Sequence, residues 1–221
     1  MTVDAKLLAR ARRALYTGVI SDVLDSLGYR EHAMQPHVRP LDESLTICGP
    51  ARTALYMEVF HVEKGKNPYE LEIALIDDLK PGEVAVMGCP RGGRVAPWGE
   101  LLSTASKARR AAGCVTDGLV RDVKLIRDMK FPVFAGGIGP LDSKGRGVVQ
   151  AIDVPISCGG TAVKPGDYIF GDVDGVCVIP RRLARECFRR ALEKAAAENT
   201  VRKELARGDQ LAAVFKRHGI L

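Results

Sequence analysis

A chain of 221 residues with 46% apolar composition can bury a full core and falls within the range of a single domain. Its 33 basic and 27 acidic residues leave a charge of +6, a mild excess that favours small anions, while 5% aromatic content and the lack of a recognised binding signature argue against a dedicated nucleic-acid module. No apolar run reaches the roughly 18 residues of a membrane span, and charges interrupt residues 1–13 where a signal peptide would be apolar, so a cytosolic protein with no membrane partner is expected.

The first predicted element is a helix over residues 4–15, with Leu7, Leu8, Ala11 and Leu15 on one face. Thr17 then reads as the N-cap of a second helix carrying Val19, Val23, Leu24 and Leu27, stopped by Gly28. After a loop with Pro36 and Pro40, residues 47–59 mix β-branched and small side chains as a strand does. Lys80-Pro81-Gly82-Glu83 and Lys164-Pro165-Gly166-Asp167 put Pro and Gly where a type II turn needs them, so each is predicted to feed a strand, over 84–87 and 168–170. Between these turns come a glycine-rich loop (89–97), a helix (99–112), a short strand (113–116), the segment 117–129, and a strand (132–135) running into Gly136-Gly137-Ile138-Gly139-Pro140. Residues 148–179 read as all β, and 181–207 as one long helix with an arginine-rich solvated face, closed by Gly208. Strands in the middle and helices at both ends predict an α/β layered domain over 1–221.

The six cysteines are dispersed without a C-x-x-C pair, and the four histidines form no H-E-x-x-H, so the thiols are read as reduced and buried. Any metal is therefore expected to be oxygen-ligated, which favours Mg²⁺ or Mn²⁺ over zinc.

Two stretches carry chemistry. In Ala96-Pro97-Trp98-Gly99-Glu100-Leu101-Leu102, Pro97 and Gly99 break regular structure just before an alanine-rich helix, leaving the N–H groups of Glu100 to Leu102 unpaired at a helix N-terminus. Such groups bind carboxylates or phosphates, although an ordinary helix start with Glu100 favoured by the dipole fits this stretch equally well. In the second, a buried strand ending at Asp117-Gly118 delivers Arg121 and Asp122 side by side. The pair suits a hard-cation ligand beside a planar anion clamp; taken alone, an Arg-Asp pair is more often a surface ion pair.

These motifs, with 17–28 (T-x-x-I-S-D-x-L-D-x-L-G), 49–53, 98–105, 113–123, 131–135, 158–167 and 171–180, resemble the RraA-like family in order and over nearly the whole chain. That family includes 4-hydroxy-4-methyl-2-oxoglutarate aldolases, also active as oxaloacetate decarboxylases, and the regulator of ribonuclease E activity. The sharpest element is an acidic residue, twenty residues, then Arg-Asp, here Glu100, Arg121 and Asp122. The resemblance implies a β/β/α swivelling-domain fold, a homotrimer or homohexamer with active sites between subunits, and a metal-dependent lyase making a pyruvate enolate from a 2-oxo acid. It assigns Asp122 to a divalent cation (Mg²⁺ or Mn²⁺), Glu100 to its outer shell, Arg121 to the substrate, and the backbone around Gly99, Leu101 and Leu102 to the pyruvyl carboxylate. A glutamate from a neighbour's last helix is also implied; Glu198 is the choice, with Glu193 and Glu204 as rivals. Two departures bear on substrate range. Glu100 stands where family aldolases usually carry Asp, and residues 56–69 lack a Gly-Asp-Asn stretch, offering His61, Lys64, Lys66 and Asn67 instead, with Arg91 and Arg94 nearby. The alternatives are a non-catalytic protein-binding regulator of RNA turnover, against which Glu100 counts, and methyl transfer to a quinone, for which no glycine-rich strand-helix signature exists.

Overall fold

A computed structural model describes residues 3–90 and 95–220. The fold turns on β2 (Ile47–Glu58), a 12-residue strand that serves two halves of one sheet. Its first residues pair antiparallel with β9 (Tyr168–Asp172), which pairs in turn with β10 (Gly175–Ile179). From Ala51 onward β2 runs parallel to β3 (Val84–Gly88), followed by β4 (Gly113–Val120) and β5 (Val133–Ile138), with the two-residue β1 (Arg39–Pro40) at the edge. The C-terminal part of β2 also pairs with β6 (Gly147–Ile152) across a bulge at Leu55 and Tyr56, and β7 (Ile156–Cys158) with β8 (Thr161–Val163) makes a separate hairpin.

Period-two alternation decides what faces what. Val84 and Val86 of β3, Val115 of β4, Phe134 of β5, Ile169 of β9 and Val176 and Val178 of β10 point into one central core between the two halves. The intervening Ala85, Met87, Cys114, Val133 and Ala135 point out, against α3 (Glu70–Asp78), α4 (Glu100–Ala108) and α5 (Val123–Asp128). On the other half Tyr168, Phe170, Cys177 and Ile179 meet α1 (Ala5–Ala14), α2 (Thr17–Ser26) and α6 (Ala184–Ala206). The result is the expected layered α/β architecture with helices at both ends. Both Pro-Gly turns form as predicted, with Gly82 and Gly166 at φ +85° and +82° and i-to-i+3 backbone bonds of 3.1 and 3.0 Å. All six cysteines are unpaired, and five are buried.

Several boundaries differ from expectation. Thr17 is the first residue of α2 instead of its cap: its N–H and hydroxyl both donate to Asp172 on β9 (2.8 and 2.7 Å), so the orphan donor is satisfied from a distant strand. The helix predicted to reach residue 112 ends at Ala108, because Arg110 turns left-handed (φ 61°) and its carbonyl accepts from Gly82. Strand β4 runs on through Asp117 to Val120 with a register shift after Thr116, and β5 continues through Gly136 and Gly137. Three helices were not predicted: α3, α5 within the unassigned segment 117–129, and α7 (Leu211–His218) beyond Gly208. The Asp172 cap has a measurable consequence. Asp172→Ala should lower unfolding free energy by about 1–3 kcal/mol in urea melts, the cost of orphaning buried donors; an unchanged midpoint would mean water replaces the carboxylate without penalty.

Candidate active site

The parallel strands β3 and β4 deliver the site at their C-terminal ends, where sheets of this kind gather ligand-binding groups. Past Val120 the chain turns sharply at Asp122, a non-glycine residue in the left-handed region (φ 60°, ψ 31°) that caps α5. Asp tolerates this conformation better than most residues, at a cost of roughly 1 kcal/mol. The turn aims the carboxylate at the N-terminus of α4, where Glu100 N–H donates to Asp122 Oδ2 at 3.2 Å.

Four contacts hold α4 there. Trp98 forms an isolated parallel bridge with Val120, and Arg121 N–H donates to Trp98 O at 3.1 Å, sewing residues 96–99 to the end of β4. The buried Trp98 indole donates to Ser103 Oγ (2.7 Å), whose hydroxyl donates to Gly99 O (3.0 Å). Gly99 is required by proximity, since its φ of −152° is ordinary extended backbone. A Cβ there would lie 2.8 Å from Asp122 Oδ2 and 3.2 Å from Arg121 Cγ. Among the described residues, the N–H groups of Leu101 and Leu102 have no acceptor. The Leu101 side chain is 77% exposed beside them.

Arg121 lies between two carboxylates, with Nε 3.7 Å from Asp122 Oδ2 and Nη2 3.4 Å from Asp142 Oδ1. Asp142 was not anticipated from sequence, nor were the groups behind it. Tyr69 hydroxyl donates to Asp142 Oδ2 (2.7 Å), and Tyr56 hydroxyl donates to Glu72 Oε2 (3.2 Å). Glu72 is buried on the inner face of α3, and burial pushes its carboxyl up to about 7 against the opposing pull of the Tyr56 hydrogen bond. The available signal was the spacing of Leu71, Leu75, Ile76 and Leu79, which puts Glu72 on an apolar helix face.

The acidic residues expected around a cation are only partly assembled within one chain. Asp122 and Glu100 adjoin through the backbone, while the Glu100 side chain accepts from Thr104 (2.6 Å) on its own helix. Glu198 sits in the opposite helical layer, accepting from the Tyr16 hydroxyl and 3.9 Å from Arg202. Its rivals are also paired on their own chain, Glu193 with Arg189 (2.7 Å) and Glu204 with Arg217 (2.8 Å). No group of three His, Cys, Asp or Glu side chains able to hold a metal occurs among the described residues. His61, Lys66 and Asn67 line a separate cavity of about 340 Å³ with Met57 and Val149; Lys64 is exposed, and Arg91 and Arg94 lie outside the described residues.

The buried Glu72 makes stability depend on pH in a predictable sense. An acid with a raised native pKa binds more protons folded than unfolded, so its stability contribution is complete below the unfolded value of 4.5 and is lost as pH rises through about 7. Glu72→Gln should remove that decline, which amounts to no more than about 3 kcal/mol between pH 4.5 and 8. Urea melts of parent and variant across this range check it; parallel curves would mean Glu72 is ionised in the native protein at neutral pH.

Comparison with known proteins identifies the family. The model of the RraA-like family, described as Aldolase/RraA, matches residues 17–178. A Halalkalibacterium halodurans protein that carries the name of a candidate 4-hydroxy-4-methyl-2-oxoglutarate aldolase is 34% identical over 91% of this chain and 89% of its own. Among solved structures, one described as novel cellulases from gut-associated microbes superposes with TM-score 0.83 at 29% identity over 90% of this chain and 89% of that one. Streptomyces coelicolor RraAS2, described as an unusual member of the RNase ES inhibitor RraA protein family, superposes with TM-score 0.78 at 26% identity over 91% of this chain and 98% of its own. The family match over residues 17–178 and the 34% identity across nearly the whole chain place this protein in the RraA-like family, a family of aldolases and RraA proteins.

Proposed function

We propose that the protein is a divalent-metal-dependent carbon-carbon lyase of the class II pyruvate aldolase type. Its substrates would be 4-hydroxy-2-oxo acids such as 4-hydroxy-4-methyl-2-oxoglutarate, cleaved between the third and fourth carbons, and oxaloacetate, which loses CO₂. The observation that carries this reading is the apposition of two unpaired N–H groups, Leu101 and Leu102, with the Arg121 guanidinium and the Asp122 carboxylate at one strand end. An anion seat, a cationic clamp and a hard-cation ligand within one turn of each other are what stabilising a pyruvate enolate requires.

The chain's own groups have distinct tasks. The α4 N-terminus binds the carboxylate next to the 2-oxo group, and Arg121 supplies a planar fork for the developing enolate oxygen. Glu100, acting through water, accepts the hydroxyl proton in the retro-aldol direction; a helix glutamate is its alternative. No lysine lies among the groups assembled at the site, so no Schiff base is invoked. The donor set suits Mg²⁺ or Mn²⁺. Asp122 is partly exposed and Glu100 is its neighbour, which matches a cation that keeps several waters and takes one or two carboxylates. When bound, the cation would supply electrostatic stabilisation of the enolate charge. The rest of its shell would come from Glu198 of an adjoining subunit in a trimer or hexamer, in keeping with Glu198 lying far from Asp122 in sequence and in a different layer.

A purely protein-binding regulator, the class to which the RraAS2 description points, would need neither the left-handed Asp122 nor the close approach of Gly99. Pyruvate release from oxaloacetate and from 4-hydroxy-4-methyl-2-oxoglutarate separates the two. Release should stop in EDTA and return with Mg²⁺ or Mn²⁺. Asp122→Asn should lose turnover and Mn²⁺ affinity together. Arg121→Lys should lower kcat/KM by about two to three powers of ten, comparable to losing one strong oxyanion donor, with Mn²⁺ binding spared. Full release in chelator removes the metal from the mechanism, and no release under any condition favours the regulator.

A further inference from the structure

Arg121 can clamp a substrate productively only if its guanidinium is held in one plane, and on a partly exposed side chain that requires an anchor. We infer that Asp142, itself fixed by Tyr69, is the positioning residue that sets the orientation of Arg121. An isolated ion pair at 3.4 Å on the protein surface would carry little weight. Asp142 differs in being immobilised from behind. Its Oδ2 accepts from the Tyr69 hydroxyl at 2.7 Å and its Oδ1 from Ser143 N–H at 2.9 Å, and Ser143 is itself buried. Tyr69 is the residue before α3, the helix that packs on the outer face of the parallel strands, so the anchor is tied to the scaffold on two sides.

The donor count gives this arrangement its purpose. A guanidinium has five N–H donors in a plane. Nε lies 3.7 Å from Asp122 and Nη2 3.4 Å from Asp142, both as ion pairs, which leaves the Nη1–Nη2 edge for a ligand. That edge makes the two parallel hydrogen bonds a carboxylate or enediolate accepts. Without Asp142 the side chain could swing toward Asp122 and present a different edge. Asp142 touches no reacting atom in this scheme. It acts through Arg121, and Tyr69 acts through Asp142.

The kinetic consequences rest on the lyase reading, but the placement of Arg121 can be tested without turnover. Phenylglyoxal modifies accessible guanidinium groups, and peptide mapping resolves its rate at Arg121. In Asp142→Asn the rate at Arg121 should rise several-fold, and in Tyr69→Phe by less, with melting temperatures close to the parent's. In steady-state assays Asp142→Asn should lower kcat/KM by about 10- to 100-fold, the coupling range for charged groups in one network, with much of the loss in KM. Arg121→Lys added to Asp142→Asn should cost far less than Arg121→Lys alone, because an unanchored guanidinium has already lost its directional advantage. Equal modification rates in parent and Asp142→Asn, or fully additive losses in the double variant, overturn the inference. A parent enzyme that releases no pyruvate would sink the lyase reading instead, and the modification rates would still decide whether Asp142 holds Arg121.

Discussion

The contact on which this structure turns is the one between the Asp122 carboxylate and the first N–H of α4. It joins two successive strand-helix units at the ends of β3 and β4, and it makes a helix N-terminus, a carboxylate and a guanidinium share one small volume. The interaction is favourable because the positive end of the helix dipole meets a negative charge. The backbone cost at Asp122 offsets part of that gain, and a carboxylate in such a turn is more useful to a ligand than to the fold. The stability of the domain lies elsewhere, in the central core between the two sheet halves and in the two helical layers outside it.

Those layers also back the site on one side with packed groups. Behind Arg121 lie Asp142, Tyr69, Glu72 and Tyr56, a cluster of polar groups backed by buried side chains. Leu101 on α4, Leu125 on α5 and Ile138 at the end of β5 are exposed apolar side chains on neighbouring elements. Exposed apolar side chains on these elements leave surface that a neighbouring subunit can cover, as the proposed contribution of Glu198 requires.

Much of the architecture was legible in the sequence because it is written in local periodicity. The apolar runs 84–87 and 168–170, the two Pro-Gly turns and the amphipathic first helix all specify local structure without help from distant residues. Gly99, Glu100, Arg121 and Asp122 could be picked out because their order resembles the RraA-like motif, each stretch alone reading as well or better as ordinary structure, and the fold does bring them together. Tertiary effects were not legible. Thr17 looks like a cap because of its type, yet its partner Asp172 is 155 residues away. Asp142, Tyr69 and Glu72 come from segments with no shared motif, and only the packing of α3 against the sheet reveals them. The left-handed turn at Asp122 carries no glycine to announce it. For Glu193, Glu198 and Glu204, helical periodicity places all three on α6 but cannot say which partners each meets.

The central claim is that Gly99, Arg121 and Asp122 form a single ligand site whose geometry depends on the backbone of residue 99 approaching both side chains. Gly99→Ala tests it directly, because its φ accepts alanine and only the site has no room for the methyl group. Calorimetric titration of Mn²⁺, and of oxalate in the presence of Mn²⁺, into parent and variant is the measurement. The account predicts that Gly99→Ala melts at the parent's temperature and binds oxalate roughly 100-fold more weakly, the scale expected when site groups are displaced by about 1 Å. A variant that binds both Mn²⁺ and oxalate as the parent does would contradict it.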